Sequence, residues 1–274
     1  MKKYLEALQY ILDKGDDRMD RTGVGTRAVF GLQMRYSLRE GFPAMTTKKL
    51  AFKMVKTELL WFISGSRDIK ELQEKGCHIW DANVDADYWR EKREFPTDAG
   101  RIYGVQWRDW KNPKGESIDQ LKEVIEGLKK DPYGRRHIVN AWNPGELKEM
   151  VLPPCHTFFQ FFVSKKGELS LQMYQRSCDM FLGVPFNIAS YSLLLSLVSQ
   201  VTGYIPGEFI HVLGDAHIYK NHFNQVKEQL KREPLELPKL SLNKEIKDID
   251  KFKVEDIDLI DYKHHPPIKA KMAV

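Results

Sequence analysis

One cysteine stands at the mouth of an aromatic run, in Leu152-Pro153-Pro154-Cys155-His156-Thr157-Phe158-Phe159-Gln160. Two prolines fix the backbone before it in an extended form and withhold two N–H groups. Phe158 to Val163 is rich in strand formers. A rigid loop feeding a strand can hold a thiol still for nucleophilic attack. A second polar stretch follows, Tyr174-Gln175-Arg176-Ser177-Cys178-Asp179. Together they suggest a thiol working beside an anion-binding arginine. The competing reading of Cys155 is a buried structural thiol, since free cysteine is among the most buried residue types. His156 is poorly placed to deprotonate it, because adjacent residues on an extended backbone point to opposite sides. A Cys-His dyad would need a distant partner such as His217 or His137. A cationic neighbour would serve instead by lowering the thiol pKa, with Arg176 foremost.

Other residues could join such chemistry. Arg21, Arg135, Arg136 and Arg176 lie in or beside turns, and arginine forks bind phosphate oxygens bidentately. The alternative is that each makes an ordinary surface salt bridge. Glu58 sits among Leu59, Leu60, Trp61 and Phe62. It either faces solvent or occupies an apolar site that raises its pKa toward proton transfer. Asn187, after Gly183-Val184-Pro185-Phe186, is either a helix N-cap or an amide that reads a pyrimidine edge. Asp215, His217 and Tyr219 alternate after a strand, but the set lacks the further carboxylates of a metal site.

The elements that must position these groups can be read from periodicity. Tyr4, Leu5, Leu8, Ile11 and Leu12 mark a helix over 2–14 that Gly15 stops. Asp20 to Arg27 is a glycine-punctuated loop, and Ala28 to Leu38 a strand. Lys53 to Ile63 is a helix, and another starts at Asp68. Asp81 to Gly100 reads as irregular surface. Ser117 to Lys130 is an amphipathic helix capped by Ser117, followed by a turn at Asp131-Pro132-Tyr133-Gly134. Arg136 to Trp142, Phe158 to Val163, Glu168 to Tyr174 and Glu208 to Leu213 read as strands. Phe186 to Thr202 is a buried helix and Tyr219 to Glu233 an amphipathic one. Strands and helices mix without βαβ regularity, so a single α+β domain over 1–274 is expected.

Composition bounds the rest. The 274 residues carry 42% hydrophobic and 30% charged side chains with a net charge of +5. The sequence pI near 8.9 suits an anionic substrate. Lys and Arg are interspersed with Asp and Glu, unlike the basic stripe with stacking aromatics of a nucleic-acid binder. The three cysteines, Cys77, Cys155 and Cys178, form no Cys-x-x-Cys pair. That argues against disulfides and zinc and for a cytoplasmic setting. The N-terminus lacks the apolar run of a signal peptide. The longest apolar segment, Ile188 to Val201, is interrupted by serines and reads as core rather than as a membrane span.

The chain resembles the thymidylate synthase family from its first helix to Val274. The resemblance is carried by Asp20-Arg21-Thr22-Gly23, Glu58-Leu59-Leu60-Trp61-Phe62, Ile79-Trp80-Asp81, Tyr103-Gly104-Val105-Gln106-Trp107-Arg108, Arg135-Arg136, Pro154-Cys155-His156 and Tyr174 to Asp179. Gly183-Val184-Pro185-Phe186-Asn187-Ile188-Ala189 and Gly214-Asp215-Ala216-His217-Ile218-Tyr219 complete it. It implies a mixed α/β sandwich that dimerises through a sheet. It also implies transfer of a one-carbon unit and a hydride from 5,10-methylenetetrahydrofolate to deoxyuridine monophosphate (dUMP), with no metal, membrane or nucleic acid required.

Roles follow from the same resemblance. Cys155 would add to carbon 6 of uracil, and Glu58 would relay protons with water, Tyr103 and Asn187. Arg176 and Asp179 would also belong to the catalytic set. Arg21, Arg176 and Ser177 would grip the phosphate, joined by Arg135 and Arg136 from the partner subunit. Gln175, the Asp179 backbone and Asn187 would face the base, while His217 and Tyr219 would hold the sugar hydroxyl. Ile79, Trp80, Leu152, Asp179, Gly183, Phe186 and Ala273 would line the folate site, with a closing tail near 268–274. The sequence departs from common family residues at Ala51, Asn83, Arg101 and Lys271. The nearest rival is a nucleotide hydroxymethylase, in which water rather than hydride captures the transferred carbon. Members acting on cytidylate tend to carry aspartate at the position of Asn187, so asparagine favours uracil. Trp80 and the closing tail favour hydride transfer. A Cys-His hydrolase is the third reading.

Overall fold

The computed structural model describes residues 1–272, so Ala273 of the expected folate surface lies outside the described residues. Helices of six residues or more are α1 (Lys2–Lys14), α2 (Phe52–Ser64), α3 (Tyr103–Arg108), α4 (Gln120–Lys130), α5 (Gly183–Thr202) and α6 (Phe223–Leu230). The central sheet contains β1 (Asp16–Arg18), β2 (Thr26–Ser37), β3 (Ile138–Asn140), β4 (His156–Val163), β5 (Glu168–Asp179) and β6 (Ile205–Tyr219). Their spatial order is β1-β2-β6-β5-β4-β3. Every neighbouring pair is antiparallel except β5 with β6, which α5 connects as a crossover. Parallel neighbours need such a crossover, because a tight turn can only reverse the chain. The result is a mixed α+β fold with a mainly antiparallel sheet.

The core explains the helix positions. Tyr4, Ala7, Leu8 and Ile11 are the buried stripe of α1, the three-and-four spacing of an amphipathic helix. At its end, a Cβ on Gly15 would lie 2.6 Å from Ile11 O, so the chain can turn into β1 there only without a side chain. Helix α5 is 20 residues long and apolar enough to cross a membrane by length and composition. That corrects the expectation that no segment reaches this length. It is instead largely buried inside the fold, and apolarity all round a helix is what burial on every side requires. One connected cluster of buried residues extends from Tyr4 to Ile257.

Several boundaries differ from the sequence reading. Ser117 belongs to a short strand, and the cap of α4 is Asp119, whose side chain accepts from Lys122 N. Residues 81–100 are not all surface. Trp89, Asp98 and Ala99 are buried, because Asp98 accepts two hydrogen bonds from Arg67 and others from the backbone of Glu94 and Gly100. The Tyr219 to Glu233 helix is shortened to α6, after β6 continues as far as Tyr219. Strand β5 continues to Asp179, so Arg176 stands within a strand and not in a turn. Sheet pairing outweighed polarity there, since the segment finds ladder partners on both sides.

Candidate active site

Three strand segments bring the polar stretches together. Pairing of β5 with β6 sets Ser177 opposite Asp215 and Asp179 opposite His217. Pairing of β4 with β5 sets His156 opposite Gln175. The β4–β5 register shifts between His156 and Phe158, and bulges of this kind re-aim side chains beside functional sites. Cys155 lies immediately before that shift.

Cys155 is held through its backbone. Its N–H donates to the Tyr103 hydroxyl at 2.8 Å, and its carbonyl accepts from Arg176 N at 2.8 Å. The Arg176 guanidinium donates to the carbonyls of Pro154 and Pro153, each at 2.8 Å, and lies over the Trp142 ring at 5.1 Å. One arginine thus fixes the proline turn and places a positive charge near the thiol. Burial pushes the thiol above its ordinary value, while Arg176, Tyr103 and Arg21 act in the opposite direction. Arg176 is the largest of the lowering influences, as expected of a cationic neighbour, but burial outweighs them in sum.

His156 does not engage Cys155. Its Nδ1 lies 2.7 Å from the Tyr191 hydroxyl, and its ring stacks on Tyr103 at 4.1 Å. Burial, then His211, lower its pKa to about 3, so it is neutral at physiological pH.

Glu58 is buried on α2 and does not face solvent. Its Oε1 accepts from the Trp80 indole N–H at 2.8 Å. Burial raises the carboxyl pKa to about 7, against the opposing effect of that bond. A carboxyl poised near neutrality can both take and return a proton. Tyr103 reaches the same region because Gly104 lets α3 press against α2, where an added Cβ would lie 2.4 Å from Phe62 O. Phe62 and Trp80 flank Tyr103 at 4.9 and 6.1 Å between ring centroids.

Asn187 lies inside α5, whose cap position is Leu182, so it is not the N-cap. Its Oδ1 accepts from Gln175 Nε2 at 3.1 Å. Asp179 instead shapes the turn that leads into the helix, its Oδ1 accepting from Phe181 N and Leu182 N at 3.0 and 3.2 Å. His217 Nδ1 lies 3.0 Å from Asp215 Oδ1, and Asp215 also pairs with Arg18. Tyr219 meets His217 edge to face at 5.2 Å. Arg21 is exposed on a loop that Asp20 staples through Gly25 N and the Thr22 hydroxyl.

Ile79, Leu152, Gly183 and Phe186 are partly exposed, while Trp80 is buried. Trp80 and Asp179 link this apolar set to Glu58 and to the start of α5. Arg135 and Arg136 are exposed just before β3. Neither guanidinium makes a hydrogen bond or ion pair among the described residues. No group of three His, Cys, Asp or Glu able to hold a metal occurs among the described residues.

The sequence reading missed two groups here. Lys48 is buried, donates to Phe181 O and lies 3.5 Å from the Phe181 ring centroid. Burial lowers its pKa to about 7. Trp142 underlies Arg176. Neither carries a spacing signal, since both depend on contacts distant in sequence. Residues 2–274 match the family model described as thymidylate synthase.

Proposed function

Because the chain belongs to the thymidylate synthase family, whose members are folate-dependent methyltransferases acting on dUMP, we propose that it converts dUMP to thymidylate through covalent addition of Cys155. The observation that carries this reading is the hold on Cys155, between the Tyr103 hydroxyl and the Arg176-braced proline turn. A thiolate there adds to carbon 6 of the ring, and the electron pair moves toward carbon 5 and the O4 carbonyl. 5,10-Methylenetetrahydrofolate supplies the one-carbon unit and the hydride, and leaves as dihydrofolate. Glu58, with a pKa near 7, exchanges protons with the pyrimidine through water, aided by Tyr103 and Asn187.

Arg21, Arg176 and Ser177 hold the phosphate. Asn187 and the Asp179 backbone face the base, Gln175 supports Asn187 from behind rather than facing the base itself, and His217 with Tyr219 takes the sugar hydroxyl. Ile79, Trp80, Leu152, Asp179, Gly183 and Phe186 form the folate surface, with Ala273 in the closing tail. The protein acts in the cytoplasm as a homodimer joined through its sheet. Arg135 and Arg136 of the partner subunit then complete the phosphate grip. Two observations support this pairing: both arginines are exposed, and so are Ile138 and Phe162, whose chain neighbours point inward. Large exposed apolar side chains on one face favour an interface.

The test is to follow dihydrofolate formation with dUMP and, in parallel, with deoxycytidylate. Dihydrofolate with dUMP alone supports the reading. Nucleotide consumed without dihydrofolate would assign a hydroxymethylase instead.

A further inference from the structure

Behind Asn187 runs a buried relay whose proton positions follow from one fixed acceptor. Gln175 Nε2 lies 3.0 Å from Ser177 O. A backbone carbonyl only accepts, so the Gln175 atom there is the amide nitrogen. Its second hydrogen is directed at the Asn187 side chain 3.1 Å away. The Asn187 atom facing it must therefore be the oxygen. On the other side, Gln175 Oε1 faces His211 Nε2 at 2.8 Å. An amide oxygen cannot donate, so His211 Nε2 carries a hydrogen.

His211 has no exposed surface, and its Nδ1 has no hydrogen-bond partner among the described residues. Burial lowers its pKa to about 3. It is thus a neutral imidazole in one tautomer, a donor to Gln175. Strand pairing with Met34 and Met173 on either side holds it.

We infer that His211 is a positioning residue that locks the orientation of the Asn187 amide and thereby sets the preference for uracil over cytosine. The inference rests on the proposed role of Asn187 as reader of the base. With its oxygen toward Gln175, Asn187 offers a second lone pair to the N3–H of uracil and its NH2 to O4. Cytosine presents the reverse, an acceptor at N3 and a donor at N4, and asks for a flipped amide. The flip would set the Asn187 NH2 against the Gln175 NH2, and Gln175 cannot turn to relieve this. Turning would set its oxygen against the Ser177 carbonyl and either place its NH2 against the His211 N–H or drive that hydrogen to Nδ1, which has no acceptor among the described residues. The discrimination is thus anchored in β6, two residues removed from the base by hydrogen bonds.

The test uses the Cys155→Ser protein, which binds nucleotide without reacting. Dissociation constants are measured for dUMP, deoxycytidylate and 2-deoxyribose 5-phosphate, with and without His211→Phe. Loss of the buried donor should lower the dUMP-to-deoxycytidylate preference about tenfold and leave the sugar phosphate unaffected. His211→Gln, which restores a donor, should recover part of the preference. An unchanged preference in folded His211→Phe overturns the relay alone, as does equal weakening of all three ligands. Failure of Cys155→Ser itself to prefer dUMP overturns the reading of Asn187 and the relay with it. Imidazole nitrogen NMR of the unmutated protein gives a decision that does not depend on a variant folding. A neutral ring protonated at Nε2 supports the relay, and protonation at Nδ1 overturns it.

Discussion

The Trp80 indole N–H donates to Glu58 Oε1 at 2.8 Å, with both side chains buried. This bond favours the charged carboxylate, while burial favours the acid more strongly. The two opposing effects leave the carboxyl near pH 7, where a proton can move either way.

That balance has a pH signature. The folded carboxyl titrates at about 7 and the unfolded one near 4.5. Between those values the folded state binds the extra proton, so stability falls as pH rises through the window. Glu58→Gln removes this titration. Urea unfolding should show the variant gaining up to about 3 kcal/mol over the parent at pH 8 and little near pH 4.5. Equal gains at both would count against a raised carboxyl. Turnover should fall at least about a hundredfold. Trp80→Phe should move the carboxyl titration to higher pH, followed by its infrared band.

The thiol of Cys155 depends on Arg176, the largest of the influences lowering its pKa. Arg176→Gln should slow alkylation of Cys155 by iodoacetamide about tenfold at pH 8, because only the thiolate reacts. Cys155→Ser should abolish turnover and leave nucleotide binding largely intact. Peptide mapping of the alkylated cysteine and calorimetry with dUMP measure the two effects.

Asn187→Asp should move preference toward deoxycytidylate, since a protonated carboxyl presents the complementary pattern to cytosine. The ratio of kcat/KM for the two nucleotides is the readout. An unchanged ratio would remove Asn187 as the reader.

Gly104 sets the approach of α3 to α2. Gly104→Ala would place a Cβ 2.7 Å from Phe62 Cα. The helices must separate, at a cost of about 1–3 kcal/mol. The urea midpoint should drop accordingly. Turnover should drop further than that loss explains, because Tyr103 would leave the Cys155 N–H.

Sharing of sites between subunits is tested by complementation. Mixing inactive Cys155→Ser with inactive Arg135→Ala should restore activity in mixed dimers, where one site keeps both groups. Verified mixed dimers without activity would refute the sharing.

The strong helix stripes, the strand-forming runs and the identity of the reactive groups were all legible in the chain. Tyr4, Leu8 and Ile11 announce α1 by spacing alone, and the prolines before Cys155 announce a rigid turn. These features are local, encoded in propensity and period. What tertiary structure decided was environment. Glu58 could have faced solvent by periodicity, and only packing against Trp80 buried it. Arg176 read as a turn residue until β4 and β6 paired on either side of it. Asn187 read equally as a cap until the helix began at Gly183, ahead of it, and Gln175 turned toward it. Burial, pKa and amide orientation arise from groups far apart in sequence, so no window along the chain contains them.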